Sequence, residues 1–288
     1  MGGAPQSGCR ARGLTAELVD AIWPDWAAPP NIRALMSTRQ GGVSAAPFDS
    51  LNLRPSRLPA LPQSHGPGTG AAWDAADAVL ENQRRFAAAL GATPVWLNQV
   101  HGADVVHLRP QHLLLGAELP RADASISTEP GIACAVLVAD CLPVLLCSAN
   151  GRAVGAAHAG WRGLAAGVID NTVAALCLAA DCRADQLLGW LGPCIGPRAF
   201  EVGAEVLPAF GQDLLAPDVS LFLPSPRPDG SMRWRADLVQ LARRRLASAG
   251  VLQVSGGGWC TATETSRFFS FRRDGRTGRL GAAVALRG

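Results

Sequence analysis

The sequence predicts an α/β (α+β) fold, a single-domain sandwich of mixed β-sheets flanked by helices. Three observations lead there. The apolar runs at 132–138, 144–147 and 154–157 are continuous rather than alternating, as strands buried on both faces require. Stretches at 74–90, 163–179 and 236–249 instead carry the apolar content and length of helices. Strands and helices also follow one another without regular βαβ alternation, and 288 residues suffice for one substantial core.

Residues 1–30 read as an N-terminal extension, partly flexible because its first 13 residues are rich in Gly, Ser and Arg. A short helix is expected at 15–22, with Thr15 as N-cap and Pro24 as its stop. A strand follows at 32–37, then the Gly-Gly turn Thr38-Arg39-Gln40-Gly41-Gly42-Val43-Ser44 and the tripeptide Leu51-Asn52-Leu53. The Pro-, Gly- and Ser-rich stretch 54–70 reads as a flexible insertion in a domain running from 31 to 288. The helix at 74–90 takes Asp74 as N-cap and Gly91 as its stop. Strands at 95–100 and 104–108 flank His101-Gly102, and Asp123 interrupts the chain before the next extended stretch. Beyond the three buried strands come a helix at 163–179, a strand at 187–191, helices near 200–209 and 236–249, and a last strand at 282–286.

Composition excludes several functions. A net charge of +3 with only short arginine clusters, 243–245 and 272–273, gives no nucleic-acid footprint. No apolar stretch is long enough to span a bilayer, because the run at 132–147 is broken by Asp140 and Pro143. The chain contains no lysine and no tyrosine, which removes Schiff-base chemistry, a phosphate-loop lysine and phenol acids together. Arginine is then the anion clamp on offer. The eight cysteines form no CxxC pair and no small-scaffold disulfide spacing, and several sit in apolar runs. With no signal-peptide pattern at the N-terminus, a reducing, cytoplasmic setting is expected.

Three turns carry metal-ligand residues beside Gly or Pro: His101, Cys141 and His158. Two imidazoles and a thiolate suit zinc with one position open to water or substrate. Asp123 and Asp140 are the carboxylates that could orient an imidazole or accept a proton. The same residues also allow a metal-free reading, with Cys141 as nucleophile, His158 as base and the N–H groups of the 160–163 turn as an oxyanion hole. Arg39, Arg162, Arg272 and Arg273 could clamp phosphate or carboxylate, Arg162 at a helix start where anions bind readily. Trp161, Phe269 and Phe271 could stack on a planar base.

Five segments resemble one bacterial family. They are Asn98-Gln99-Val100-His101-Gly102, Ala139-Asp140-Cys141-Leu142-Pro143, His158-Ala159-Gly160-Trp161-Arg162-Gly163, Gly192-Pro193-Cys194-Ile195-Gly196 and Phe269-Ser270-Phe271-Arg272-Arg273-Asp274-Gly275. The chain is similar in them to the polyphenol oxidase or laccase-domain family, also described as purine nucleoside phosphorylase and as peptidoglycan editing factor. The resemblance implies an αβ sandwich like the cytotoxic necrotizing factor cysteine hydrolases. It implies zinc on His101, Cys141 and His158, with copper possible by substitution. Cys141, His158, Asp140 and Asp123 are then the expected catalytic residues. Arg39, Asn52, Gln99, Arg162, Phe269 and Arg273 are the expected substrate contacts.

A multicopper laccase needs on the order of ten imidazoles. This chain has five histidines and no His-X-His pair. The leading expectation is therefore a zinc-dependent purine nucleoside phosphorylase, taking adenosine, inosine or methylthioadenosine with phosphate, that also deaminates adenosine. Alternatives are an amide hydrolase of a cytoplasmic peptidoglycan precursor, a copper-dependent polyphenol oxidase and a non-enzymatic zinc scaffold. The expected partners are small molecules, with neither nucleic acid nor membrane, and the protein a monomer or homodimer.

Overall fold

The path of the chain is described by a computed structural model that covers residues 18, 20–56, 58, 73–114 and 116–288. Strand β1 (Ile32–Met36) precedes helix α1 (Ala76–Leu90), and β2 (Thr93–Val95) and β3 (Val105–His107) flank the loop that carries His101. Four strands then follow closely: β4 (Ala124–Ser127), β5 (Ile132–Val138), β6 (Leu142–Ser148) and β7 (Val154–Ala159). Helices α2 (Trp161–Ala165) and α3 (Val168–Ala180) lead to β8 (Leu187–Leu191), and β9 (Glu201–Val202), β10 (Phe222–Pro224) and β11 (Trp234–Ala236) precede α4 (Leu238–Ser248). The chain closes with β12 (Gln253–Gly256), the short helix α5 (Phe271–Asp274) and β13 (Leu280–Leu286).

Hydrogen bonding sorts the strands into a sheet β1-β13-β5-β2, a larger sheet β12-β8-β6-β7-β4-β3 and a small one, β10-β11-β9. Both large sheets are mixed. In the first, β13 runs antiparallel to β1 and β5 while β2 runs parallel to β5. In the second, β6 is antiparallel to β7 and β8, whereas β12 and β3 run parallel to their neighbours.

The continuous apolar runs follow from having both faces covered. Along β5, Cys134, Val136 and Val138 enter the core between the two large sheets, while Ala133, Ala135 and Leu137 pack under α1 with Phe86 and Leu90. Along β6 and β7, Leu145, Cys147, Val154 and Ala156 share that inter-sheet core. Their alternates Val144, Leu146, Ala157 and Ala159 pack with α3 and α4. The layers therefore run helix, sheet, sheet, helix, as the predicted sandwich requires. Burying each large aliphatic side chain in such a core contributes about 1.5–3 kcal/mol.

Several local expectations are corrected. Of the helix expected at 15–22, residues 15–17 and 19 lie outside the described residues, and Ile22 is not helical. It forms an antiparallel bridge with Met36, each N–H donating to the other's carbonyl at 2.8 Å, which extends the edge of β1. The insertion at 54–70 is described only at 54–56 and 58. Asp74 does not cap α1, because Ala75 holds that position and the Asp74 carboxylate instead accepts from Ser44 Oγ and Asn52 Nδ2. The strand expected at 95–100 ends at Val95. Beyond it a side chain replaces the backbone as pairing partner: Gln99 Nε2 donates to the Leu137 carbonyl and Leu137 N–H donates to Gln99 Oε1.

The helix expected at 163–179 is two helices, broken where Gly167 takes φ 93°, a conformation that a Cβ disfavours. The helix expected near 200–209 is absent. Glu201–Val202 pairs with Arg235 and Trp234, and Pro208–Phe210 is a single 3-10 turn. The helix expected at 236–249 starts at Leu238, because Ala236 is held in β11 and the Asp237 carboxylate caps it by accepting the Gln240 N–H. Strand β7 also runs two residues further than expected, so His158 lies inside it.

Candidate metal centre

Strand register brings the centre together. In the β6–β7 pair Pro143 stands opposite His158, and in the β4–β7 pair Ala124 stands opposite Ala157. Asp123 and Cys141, the residues just before β4 and β6, therefore flank His158 at one end of the sheet. Side-chain alternation does the rest. His158 follows Val154 and Ala156 onto the inter-sheet face, and Cys141 packs against the same core.

His101 arrives from a loop, in the left-handed region at φ 61°. A single buried carboxylate fixes that loop. Asp123 Oδ1 accepts the His101 N–H at 2.9 Å, and Oδ2 accepts those of Val100 at 3.0 Å and Gly102 at 2.7 Å. The Asp123 carbonyl accepts the His158 N–H at 2.7 Å, and Oδ1 lies 2.8 Å from His158 Nδ1. One side chain thereby positions two of the three donors. With Nδ1 turned to Asp123, Nε2 of His158 is left to face the site.

The donor atoms of His101, Cys141 and His158 all lie within 4.8 Å of one another, with Cys141 Sγ 3.9 Å from His101 Nε2. The imidazoles meet edge to face, ring centres 4.8 Å apart. Tetrahedral zinc with Zn–N and Zn–S bonds of about 2.0 and 2.3 Å holds neighbouring donors roughly 3.5 Å apart, so small side-chain rotations would close all three on one ion. The donor set and its spacing fit zinc. His158 is buried, Cys141 half-buried and His101 exposed, so the cluster opens to solvent on the His101 side. Among the described residues this is the one such cluster of ligand side chains.

The electrostatics match the geometry. Burial opposes the Cys141 thiolate, but the His158 charge and the hydrogen bonds from both imidazoles outweigh it and lower the thiol pKa. Burial likewise opposes charge on His158, and the Cys141 thiolate and the Asp123 bond reverse that to raise it. Asp123 is fully buried, yet its bonds to His158, Gly102 and Val100 hold its pKa below the ordinary range. A thiolate beside an imidazolium is the protonation state these three groups favour together.

Asp140 takes φ 98°, which costs a non-glycine residue about 1–3 kcal/mol and persists only where its surroundings dictate it. They do: Oδ1 accepts Thr261 Oγ at 2.6 Å, Oδ2 accepts the Arg272 N–H at 2.7 Å, and the carbonyl accepts the Ile195 N–H at 2.8 Å. The turn that presents Cys141 is thus clamped from the C-terminal segments. Gly160 completes the packing, since a Cβ there would meet Cys141 Sγ at 2.9 Å and His101 Cδ2 at 3.1 Å.

The other residues singled out from sequence are placed as follows. Gln99 spans to Leu137, as described above. Arg39 bonds the Asp49 carbonyl and carboxylate and the Thr265 carbonyl, its guanidinium 5.0 Å above the ring of Phe269, which is fully buried. Arg273 forks onto Asp274 and onto the carbonyls of Thr261, Ala262 and Phe268. Asn52 is buried and bonds Asp74 and the N–H groups of Arg54 and Arg279. Arg162 is exposed at the start of α2 and lies 4.4 Å from the Trp161 ring centre. The close approach at Gly160 and the clamp from Thr261 were missed by sequence reading. Gly160 was singled out only for its N–H, and its missing side chain beside His158 was the available signal; Thr261 carries no local signal.

A family model described as multi-copper polyphenol oxidoreductase laccase matches residues 33–287. Purine nucleoside phosphorylase PA4543 of Pseudomonas aeruginosa is 49% identical over 265 residues, 92% of this chain and 98% of that protein. Purine nucleoside phosphorylase YfiH of Escherichia coli K12 is 47% identical over 267 residues, again 92% and 98% of the two chains. Among solved structures, Neisseria meningitidis protein NMB0706 superimposes with a TM-score of 0.77 at 40% identity, covering 93% of this chain and 99% of that one. YlmD from Geobacillus stearothermophilus gives a TM-score of 0.74 at 28% identity, covering 93% and 100%.

Proposed function

The chain belongs to the family described as multi-copper polyphenol oxidoreductase laccase, and from that membership we propose that it is a zinc-dependent purine nucleoside phosphorylase with a second, adenosine-deaminating activity. The observation that carries the reading is the convergence of His101, Cys141 and His158 within 4.8 Å, with an open side and Asp123 bonded behind His158. Relatives 36–49% identical bear the name purine nucleoside phosphorylase, which supports the substrate class. Five histidines are too few for the copper clusters of a true laccase.

His101, Cys141 and His158 hold the metal, which when bound supplies Lewis acidity at the open position. Asp123 is a positioning residue: it fixes the tautomer of His158 and the backbone that presents His101. Asp140 holds the turn before Cys141, both its oxygens being engaged by Thr261 and Arg272. Arg162 is the exposed cation at the rim and meets substrate directly. Gln99, Arg39, Asn52, Phe269 and Arg273 complete the substrate contacts in this reading, the polar four also being hydrogen-bonded to protein partners.

The test is chromatography of products after zinc-loaded protein meets adenosine, with and without phosphate. Adenine and ribose 1-phosphate are expected only with phosphate, and inosine in both samples. No product in either overturns the reading.

The lowered Cys141 and raised His158 favour one second reading, a metal-free cysteine amidase acting on a peptidoglycan-precursor amide. It predicts that chelation raises turnover, where the zinc reading predicts loss.

A further inference from the structure

Helix α3 ends in a turn that sets two cysteines against each other. Asp181, the residue after the helix, takes the left-handed region at φ 50° and ψ 60°, and its N–H donates to the Cys177 carbonyl. The Cys182 N–H donates to the same carbonyl at 3.1 Å. Such a six-residue closure stacks the side chains of its first and last residues, where two apolar groups ordinarily meet. Here both are cysteines. Each is half-buried, and each packs on the core that α3 and α4 cover.

A disulfide asks for Cα atoms roughly 4.4–6.8 Å apart, and a backbone hydrogen bond made directly between two residues holds them in that range. The turn is also fixed from outside. Asn150 Nδ2 donates to the Ala180 carbonyl at 2.9 Å, and Arg152 Nη1 lies 3.7 Å from the Asp181 carboxylate. Cys134, Cys147 and Cys194 are fully buried, whereas solvent reaches both cysteines of this turn. Burial raises the pKa of each, so at pH 7 both are neutral thiols that react through a small thiolate fraction. Among the described residues the His101 group is the one cluster of three or more ligand side chains, so no third ligand joins these sulfurs to hold a metal. A bond between the two is the chemistry left to them.

We propose that Cys177 and Cys182 form a reversible dithiol–disulfide site, a place of oxidative modification at the opposite end of α3 from the metal centre. Near the start of that helix Asn171 Nδ2 donates to the Ala103 carbonyl in the His101 loop, at 2.9 Å. The site owes nothing to the phosphorolysis reading, since neither sulfur belongs to the metal centre. Its co-reactant is a small organic disulfide. A thiolate at one cysteine attacks a sulfur of that molecule, forming a mixed disulfide and expelling one small thiolate. The second cysteine then attacks the protein sulfur of the mixed disulfide and expels the other small thiolate. The two protein thiols lose two electrons and two protons, and two small thiols carry them away.

The test exposes full-length, zinc-loaded protein to glutathione disulfide at pH 8, blocks the remaining thiols with iodoacetamide and digests with trypsin. Because the chain has no lysine, cleavage falls at arginine alone, and residues 163–183 leave as one peptide whose only cysteines are Cys177 and Cys182. From native protein this peptide is expected unalkylated and two hydrogens lighter than its dithiol form, with dithiothreitol restoring it. C182S should instead trap glutathione on Cys177. Oxidised wild type should melt at a higher temperature than reduced, because the cross-link restricts the unfolded chain, and C182S should show no such rise. A doubly alkylated 163–183 peptide after prolonged exposure overturns the site. So does a cross-link that forms only in urea, or one that joins either cysteine to another partner. An oxidised protein that melts lower overturns the fit of the bond to this turn. If C182S fails to fold, the wild-type peptide decides alone.

Discussion

His158 Nδ1 lies 2.8 Å from Asp123 Oδ1, and the same carboxylate accepts the N–H groups of Val100, His101 and Gly102. One buried aspartate therefore couples the orientation of His158 on β7 to the backbone of the His101 loop, a distant part of the chain. The centre is stiff because its two histidines share an anchor.

Replacing Asp123 by Ala should reduce metal affinity by about 10–100-fold, the usual effect of losing a carboxylate behind a ligating histidine. It also strips the acceptor from three backbone N–H groups, at a cost of about 3 kcal/mol or more. Competition with a chromogenic chelator and a denaturant melt measure the two effects. Unchanged zinc affinity would contradict the anchoring role.

Cys141→Ala should leave a folded protein without stoichiometric zinc and without either proposed activity. Metal analysis by mass spectrometry beside an adenosine assay checks both at once. Adenosine turnover by the metal-free variant would end the zinc reading.

Gly160→Ala places a methyl group 2.9 Å from Cys141 Sγ and 3.1 Å from His101 Cδ2. Displacing a reacting group by about 1 Å costs on the order of 100-fold in turnover. The variant should keep its secondary structure and lose most activity. In the cobalt-substituted protein, the thiolate-to-metal absorption band should shift or weaken. A wild-type spectrum and rate would show that the ligands do not need this close approach.

Burial pushes the thiols of Cys134 and Cys147 up to about 12, and neither side chain is exposed. Raised values mean that the unreactive neutral thiol persists throughout the neutral and mildly alkaline range. Iodoacetamide at pH 8 should leave both untouched in the native protein and modify them after unfolding. Rapid native labelling at either position would contradict this burial. Bound zinc should protect Cys141 from the same reagent.

Much of this protein could be read from its residues. The uninterrupted apolar runs at β5, β6 and β7 announced strands covered on both sides, and the sandwich follows from them. His101, Cys141 and His158 were legible because ligand-type residues beside Gly or Pro at strand ends are an unusual combination. Local pattern failed where long-range pairing won. The stretch 200–209 was expected to be a helix, but the edge of β11 captured Glu201 and Val202. The Asp74 side chain looked like a cap and was claimed by Ser44 and Asn52.

The arginines mark the same boundary most clearly. Sequence offered Arg39, Arg162, Arg272 and Arg273 as anion clamps and set Arg162 apart only by its place at a helix start. The folded chain engages Arg39 and Arg273 with aspartates and carbonyls, whereas Arg162 stands exposed beside the Trp161 ring. The sequence by itself determined the layer architecture and the three residues able to bind a metal, because hydrophobic periodicity and ligand chemistry are properties of residues and their spacing. Only the tertiary structure decided which charges are already neutralised and which face the centre. That depends on the register between strands more than 100 residues apart, such as Val138 against Leu280.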